Sequence, residues 1–136
     1  MTKYLLDSNT CIEVLRRGRQ TPVFAKLAAL SKSEVFINSV VVGELEYGAL
    51  RSSDPAKHLP CVRQFCAGYG SLPFDDAAGT AYAQIRADLT IAGTPIGGND
   101  MMIAAIAFAN GLTMVTHNTR DFNRVPGLLI EDWQLP

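Results

Sequence analysis

The chain has 136 residues, 48% of them hydrophobic and 18% charged, which suits one core-bearing domain over residues 1–136 and excludes a disordered chain. Its formal net charge of -1 gives no bulk attraction to nucleic acid or acidic membranes, so any polyanion must meet a local patch. The three cysteines, Cys11, Cys61 and Cys66, form no CxxC pair, which argues against a disulfide framework or structural zinc and fits a reducing cytosol.

Tyr4 to Leu6 is a short apolar run ending in Asp7 and predicts a first strand. The early carboxylate leaves no room for a signal-peptide core. Thr10 to Arg17 has helical spacing and stops at Gly18. Pro22 suits the first turn of a second helix, expected to reach Lys32. Val35 to Asn38 is β-branched and aromatic and predicts a second strand, after which Ser39 is placed to cap a helix over Val40 to Leu50. A polar break at Arg51 to Pro55 precedes a helix running to Ala67, and Ser71 to Phe74 reads as extended. Asp75 caps a long helix ending at Ala92. Gly93 to Gly98 is a turn-rich loop. Asn99 to Asn110 is a nearly all-apolar helix closed by Gly111, and its composition predicts a central, covered position. The apolar stretch Met101 to Ala109 within it is far short of the roughly 20 residues that span a bilayer. Thr113 to Thr116 and Leu128 to Ile130 are the remaining strands. Strands alternating with helices predict an α/β domain with a parallel sheet, while the early carboxylate and the short apolar stretch lead to the expectation of a soluble, cytoplasmic protein without a membrane partner.

Chemistry in such a sheet gathers beyond the carboxyl ends of its strands. Asp7 ends the first strand, Glu44 lies just over one turn into the helix after the second, Asp100 opens the apolar helix, and Asp121 follows the Thr113 to Thr116 strand. Each also has a plain structural role open to it: Asp7 as a helix cap, Asp100 as a favourable charge at a helix N-terminus, Asp121 as a loop acid. Glu44 shares a helical face with Val41, Leu45 and Gly48, which should point inward, while Glu46 lies nearly opposite. An inward glutamate needs a cation or a hydrogen-bond network. Two carboxylates about 4 Å apart repel by roughly 4 kcal/mol at an effective dielectric near 20. Three or four together would protonate, spread apart or recruit a cation, and all-oxygen ligands favour a hard ion such as Mg²⁺ or Mn²⁺, whose chemistry suits phosphodiester hydrolysis.

Polar residues flank these acids. Asn9, Ser39, Thr116 and Asn118 are candidates to orient them, although each could equally serve as a cap or turn former. Substrate affinity would rest on arginines, with Arg86, Arg120 and Arg124 as candidates beside Arg16 and Arg17.

Four segments carry a family likeness: Leu5 to Thr10, Gly43 to Ala49, Thr94 to Ala105 and Val115 to Phe122, with Gly127 to Trp133 closing the set. In this order, across essentially the whole chain, they resemble the PIN-domain toxins of the VapC (virulence-associated protein C) family. The resemblance implies a three-layer α/β/α sandwich around a parallel sheet and a Mg²⁺- or Mn²⁺-dependent endoribonuclease. It assigns Asp7, Glu44 and Asp100 to a core acidic triad and Asp121 to a more variable fourth acid, as catalytic groups and metal ligands. Asn9, Thr116 and Asn118 fall at supporting polar positions. It further implies a homodimer, neutralisation by a VapB-type antitoxin, contact with operator DNA only through that antitoxin, and initiator transfer RNA, cut in the anticodon stem-loop, as substrate. Ser8 departs mildly from the pattern, standing where many relatives have Thr.

The hydrolysis so implied leaves a 5′-phosphate and a 3′-hydroxyl. Three rivals predict otherwise. A metal-independent ribonuclease would use His58 and His117 as acid and base. A phosphatase of the haloacid-dehalogenase type needs a second Asp two residues after the first, where this chain has Asn9. A catalytically silent binding partner in an antitoxin–DNA repressor complex would use the acids to hold a partner's Arg or Lys.

Overall fold

A computed structural model describes residues 1–135. Five strands form one parallel sheet: β1 (Tyr4–Leu6), β2 (Val35–Asn38), β3 (Gly70–Leu72), β4 (Thr113–Val115) and β5 (Ile130–Glu131), in the order β3-β2-β1-β4-β5. Leu5, Leu6, Ile37, Met114 and Val115 are fully buried, as expected of strands covered on both faces. The helices are α1 (Ser8–Arg17), α2 (Pro22–Ala29), α3 (Ser39–Leu50), α4 (Pro55–Ala67), α5 (Asp76–Ala92), α6 (Gly98–Ala109) and the single turn α7 (Thr119–Phe122). The α/β domain with a parallel sheet predicted from the alternation is the fold observed, and it agrees with the sandwich the resemblance implies.

Local chemistry accounts for most boundaries. Asp7 caps α1 by accepting Thr10 N–H at 2.8 Å, and Asp75 caps α5 by accepting Ala78 N–H at 3.0 Å. Gly93 (φ 72°) and Gly111 (φ 66°) take the left-handed conformation that ends α5 and turns the chain after α6. Pro22 opens α2, but the helix stops at Ala29; the chain then turns through a 3₁₀ segment at Lys32–Glu34 held by a Ser31–Glu34 capping box. That local alternative is why the second helix is shorter than its spacing suggests.

Ser39 is not the cap expected of it. Asn38 takes that role, its Oδ1 accepting Val41 N–H at 3.0 Å, and Ser39 is instead the first helical residue. The strand thus ends in its own helix-starting residue, and α3 begins with no intervening loop.

Helix α6 is central, with Ile103 through Ala107 fully buried. Its far end is not covered: Phe108 is 51% exposed. The chain connections lead from β1 toward β2 and β3 on one side, and from β4 toward β5 on the other. The carboxyl ends of β1 and β4 are therefore the switch point of the sheet, where a crevice opens.

Candidate active site

Asp7 stands at that switch point. Its own N–H donates to Val115 O at 3.1 Å, pinning the residue to the end of β4. Its side chain is 4% exposed, with Oδ1 accepting Thr10 N–H and Oδ2 accepting the Thr116 hydroxyl at 2.5 Å. Burial raises the Asp7 carboxyl above the ordinary carboxylate range and the charge of Glu44 adds to this, while the Thr116 and Thr10 donors oppose both.

Glu44 projects from α3, one face of which is anchored by buried Val41 and Leu45. The side chain is half-buried rather than fully inside, and Oε1 accepts the Ser8 hydroxyl at 3.1 Å. Gly48, expected on the inward face, is exposed. Glu46 turns away and meets Arg63 at 3.6 Å.

Asp100 lies in the first turn of α6, half-buried. Burial, then the negative charges of Glu44, Asp7 and Asp121, push its carboxyl up to about 6. Those three charges come from α3, the end of β1 and α7, so four separate segments present carboxylates to one space. Asp121 sits in α7 rather than in an open loop; it accepts Asn118 Nδ2 at 3.1 Å and lies 3.6 Å from Arg124.

Among the described residues, no three acidic, histidine or cysteine side chains are drawn together as a finished metal cage. The carboxylates are near enough for their charges to act on one another, as like charges held a short distance apart do. The donor set nevertheless fits a hard divalent cation: it is all oxygen and multiply anionic, and one member is shifted toward protonation by the other three.

The supporting residues divide. Thr116 is fully buried against Asp7 and also accepts Asn118 N–H at 2.9 Å, so one hydroxyl links both sides of the crevice. Asn118 holds Asp121. Asn9 is exposed at the rim. Ser39 does not touch the acids; its hydroxyl accepts Phe74 N–H at 3.3 Å and ties α3 to the chain after β3. Among the arginines, Arg124 reaches Pro95 O at 3.1 Å as well as Asp121, closing the Gly93–Gly98 loop onto α7. Arg120 is exposed beside it, whereas Arg86 lies on α5 bonded to the Tyr82 hydroxyl at 3.1 Å.

Two residues with a place here were missed by sequence reasoning. Asn38 follows the pairing of Leu5 with Phe36 by two positions, which sets it beside Asp7 at the sheet edge. It is fully buried, and its Nδ2 has no partner among the described residues. The strand-to-helix junction was the available signal, but Ser39 drew the capping role. The other is Ser8, whose hydroxyl was noted only as a departure from pattern and which in fact holds Glu44.

His117 has a partner far along the chain: its Nδ1 lies 2.9 Å from Asp132 Oδ2. His58 lies on α4 and lines a groove with Leu45 and Cys61, whereas His117 lines a groove with Asn9 and Asn118. Two histidines on different grooves do not form an acid–base pair.

A model of the PIN domain matches residues 4–128. The tRNA(fMet)-specific endonuclease VapC of Salmonella typhimurium is 40% identical over 133 residues, covering 98% of this chain and 99% of that protein. The protein of the same name from Shigella flexneri is 41% identical, with the same coverage. Among solved structures, the DNA-bound VapBC of Salmonella typhimurium superposes with a TM-score of 0.92 at 39% identity, over 98% of this chain and 99% of that one.

Proposed function

The chain belongs to the PIN-domain family, and on that premise we propose that it is a divalent-metal-dependent endoribonuclease, the toxin of a toxin–antitoxin pair. One observation carries this reading: Asp7, Glu44, Asp100 and Asp121 arrive from four segments at the sheet's switch point, close enough that Glu44, Asp7 and Asp121 add to burial in raising the Asp100 carboxyl. The similar tRNA(fMet)-specific endonucleases supply the substrate class: transfer RNA of the initiator type, cut endonucleolytically. A VapB-type antitoxin is the partner, with operator DNA met through that complex. A homodimer accompanies this assembly.

Asp7, Glu44 and Asp100 would hold Mg²⁺ or Mn²⁺, with Asp121 as the fourth acid. When bound, such an ion makes a water more acidic and stabilises charge on a phosphoryl oxygen. The chain's own residues do the rest. The Thr116 hydroxyl and the Thr10 N–H favour the ionised form of Asp7 against the cost of its burial. Ser8 fixes the Glu44 carboxylate. Asn118 orients Asp121, and Arg124 holds the loop before α6 against it. Burial and the neighbouring acids raise the Asp100 carboxyl to about 6, a cost that a cation held among the acids would relieve.

End-group mapping of the RNA products tests the reaction class. Hydrolysis at this cluster leaves a 5′-phosphate and a 3′-hydroxyl. A 2′,3′-cyclic phosphate would mean attack by the ribose and would remove the acids from the central role.

A further inference from the structure

A groove of about 560 Å³ runs off the acidic crevice between α1 and the segment that follows β4, lined by Asn9, Arg16, Arg17, His117, Asn118 and Gln134. It is continuous with the site: Asn9 is two residues beyond Asp7, and Asn118 is bonded to both Thr116 and Asp121. Its lining sets Arg16 and Arg17 against Glu13, one excess positive charge beside the acids. Arg17 is matched by Glu13, also in the groove, at 3.3 Å. Arg16 makes no ion pair among the described residues and is exposed. A cationic groove leading from an anionic crevice suits a chain of phosphates whose scissile link lies over the acids.

The histidine adds a second kind of contact. Asp132 is only 10% exposed, against 57% for His117, and its other oxygen accepts Gln134 N–H at 3.0 Å. That carboxylate is fixed in place. An ionised carboxylate only accepts, so the proton between the pair sits on Nδ1 of His117, and Nε2 is left for another partner on the open side. In the neutral ring Nε2 accepts, and the donor that RNA offers along its backbone and DNA lacks is the ribose 2′-hydroxyl.

Resting on the nuclease reading above, we infer that this groove is a ribose-phosphate track for the nucleotides flanking the cut. Arg16 holds a backbone phosphate and His117, oriented by Asp132, accepts a ribose 2′-hydroxyl. The groove, rather than the acidic cluster, then selects RNA over DNA, because hydrolysis at the acids makes no use of the 2′-hydroxyl. Asp132 is a positioning residue that acts through His117.

The test is equilibrium binding of a fluorescent single-stranded RNA and the DNA of the same sequence to the folded, antitoxin-free chain in EDTA, across a salt series. The unmodified chain favours RNA by about threefold to tenfold, the worth of one hydrogen bond. His117→Phe brings the ratio toward one by weakening RNA alone. Asp132→Asn does the same, but adds nothing in the His117→Phe background, which a merely structural role would not produce. Arg16→Ala weakens both nucleic acids and lowers the slope of log affinity against log salt by about 0.7, while Lys26→Ala on α2 leaves both unchanged. An unaltered RNA-to-DNA ratio in His117→Phe, or an unaltered slope in Arg16→Ala, overturns the inference. So does a result in which these variants lose antitoxin but keep RNA, since the groove is then a protein-docking surface. The assay needs no turnover: a chain that binds as described yet cuts no RNA in Mg²⁺ or Mn²⁺ would fail the nuclease reading and leave the track standing.

Discussion

The Thr116 hydroxyl donates to Asp7 Oδ2 at 2.5 Å across 109 positions of sequence. It joins the residue after β1 to the residue after β4, the two strands at the centre of the sheet. This bond and the Thr10 N–H oppose the burial that raises the Asp7 carboxyl. Removing the donor in Thr116→Val raises that carboxyl further. The acid limb of the pH–rate profile should move to higher pH, with activity falling on the acid side and recovering in part as the pH rises. Thr116→Ser, which keeps the hydroxyl, should restore the profile.

Asp100 gives a stability prediction with a definite sign. Its folded carboxyl is raised from 3.8 to about 6, so the native state binds the proton more tightly than the unfolded chain. Stability without metal therefore declines as pH rises from about 4 to about 6, and the deficit persists above that. Asp100→Asn removes it. For a half-exposed group screened by solvent the gain is about 1 kcal/mol at pH 7 and near zero at pH 4. Thermal melts in EDTA at the two pH values measure it; an Asp100→Asn chain no more stable at pH 7 would show that the carboxylates do not strain one another.

Divalent cation should act on the same strain. Mg²⁺ or Mn²⁺ added to the unmodified chain at pH 7 should raise the melting temperature with a dose dependence that reports its affinity. The rise should be much smaller in Asp7→Asn and Asp100→Asn. Equal stabilisation of all three would place the ion elsewhere.

Asn38 caps the helix that carries Glu44. Asn38→Ala should cost about 1 kcal/mol, the worth of a cap, measurable by urea unfolding, and should lower activity by loosening α3. Asn38→Ser keeps a capping oxygen and removes the buried, unpartnered Nδ2, so it should recover most of the stability. Asn38→Asp keeps the cap but sets another carboxylate beside Asp7, and should be destabilising above pH 6 unless divalent cation is present.

Much of this arrangement was legible in the sequence because the strands are short, apolar and end in polar residues. Asp7, Asn38 and Thr116 each mark where a strand stops, and strand ends are where a parallel sheet does chemistry. Helical spacing also put Glu44 on the side of Val41 and Leu45. What could not be read was contact across the chain. Nothing local says that Ser8 reaches Glu44, 36 residues away, or that His117 meets Asp132. The Asn38–Ser39 choice failed for a different reason: both are good capping residues, and only the pairing of β2 through Asn38 with Leu72 decides where the strand ends. Arginine positions were legible as charge but not as role, since Arg124 is committed to Asp121 and Pro95 while Arg16 is unpaired among the described residues.

The most direct measurement is cleavage of total transfer RNA by the folded, antitoxin-free chain, with Mg²⁺ or Mn²⁺, with EDTA, and with Asp7→Asn under the same conditions. Discrete fragments are expected with metal and the unmodified chain, none in EDTA, and a loss of at least about a hundredfold in Asp7→Asn, the scale on which one charged catalytic group acts. Cleavage that persists in EDTA, or at full rate in Asp7→Asn, would contradict the nuclease reading.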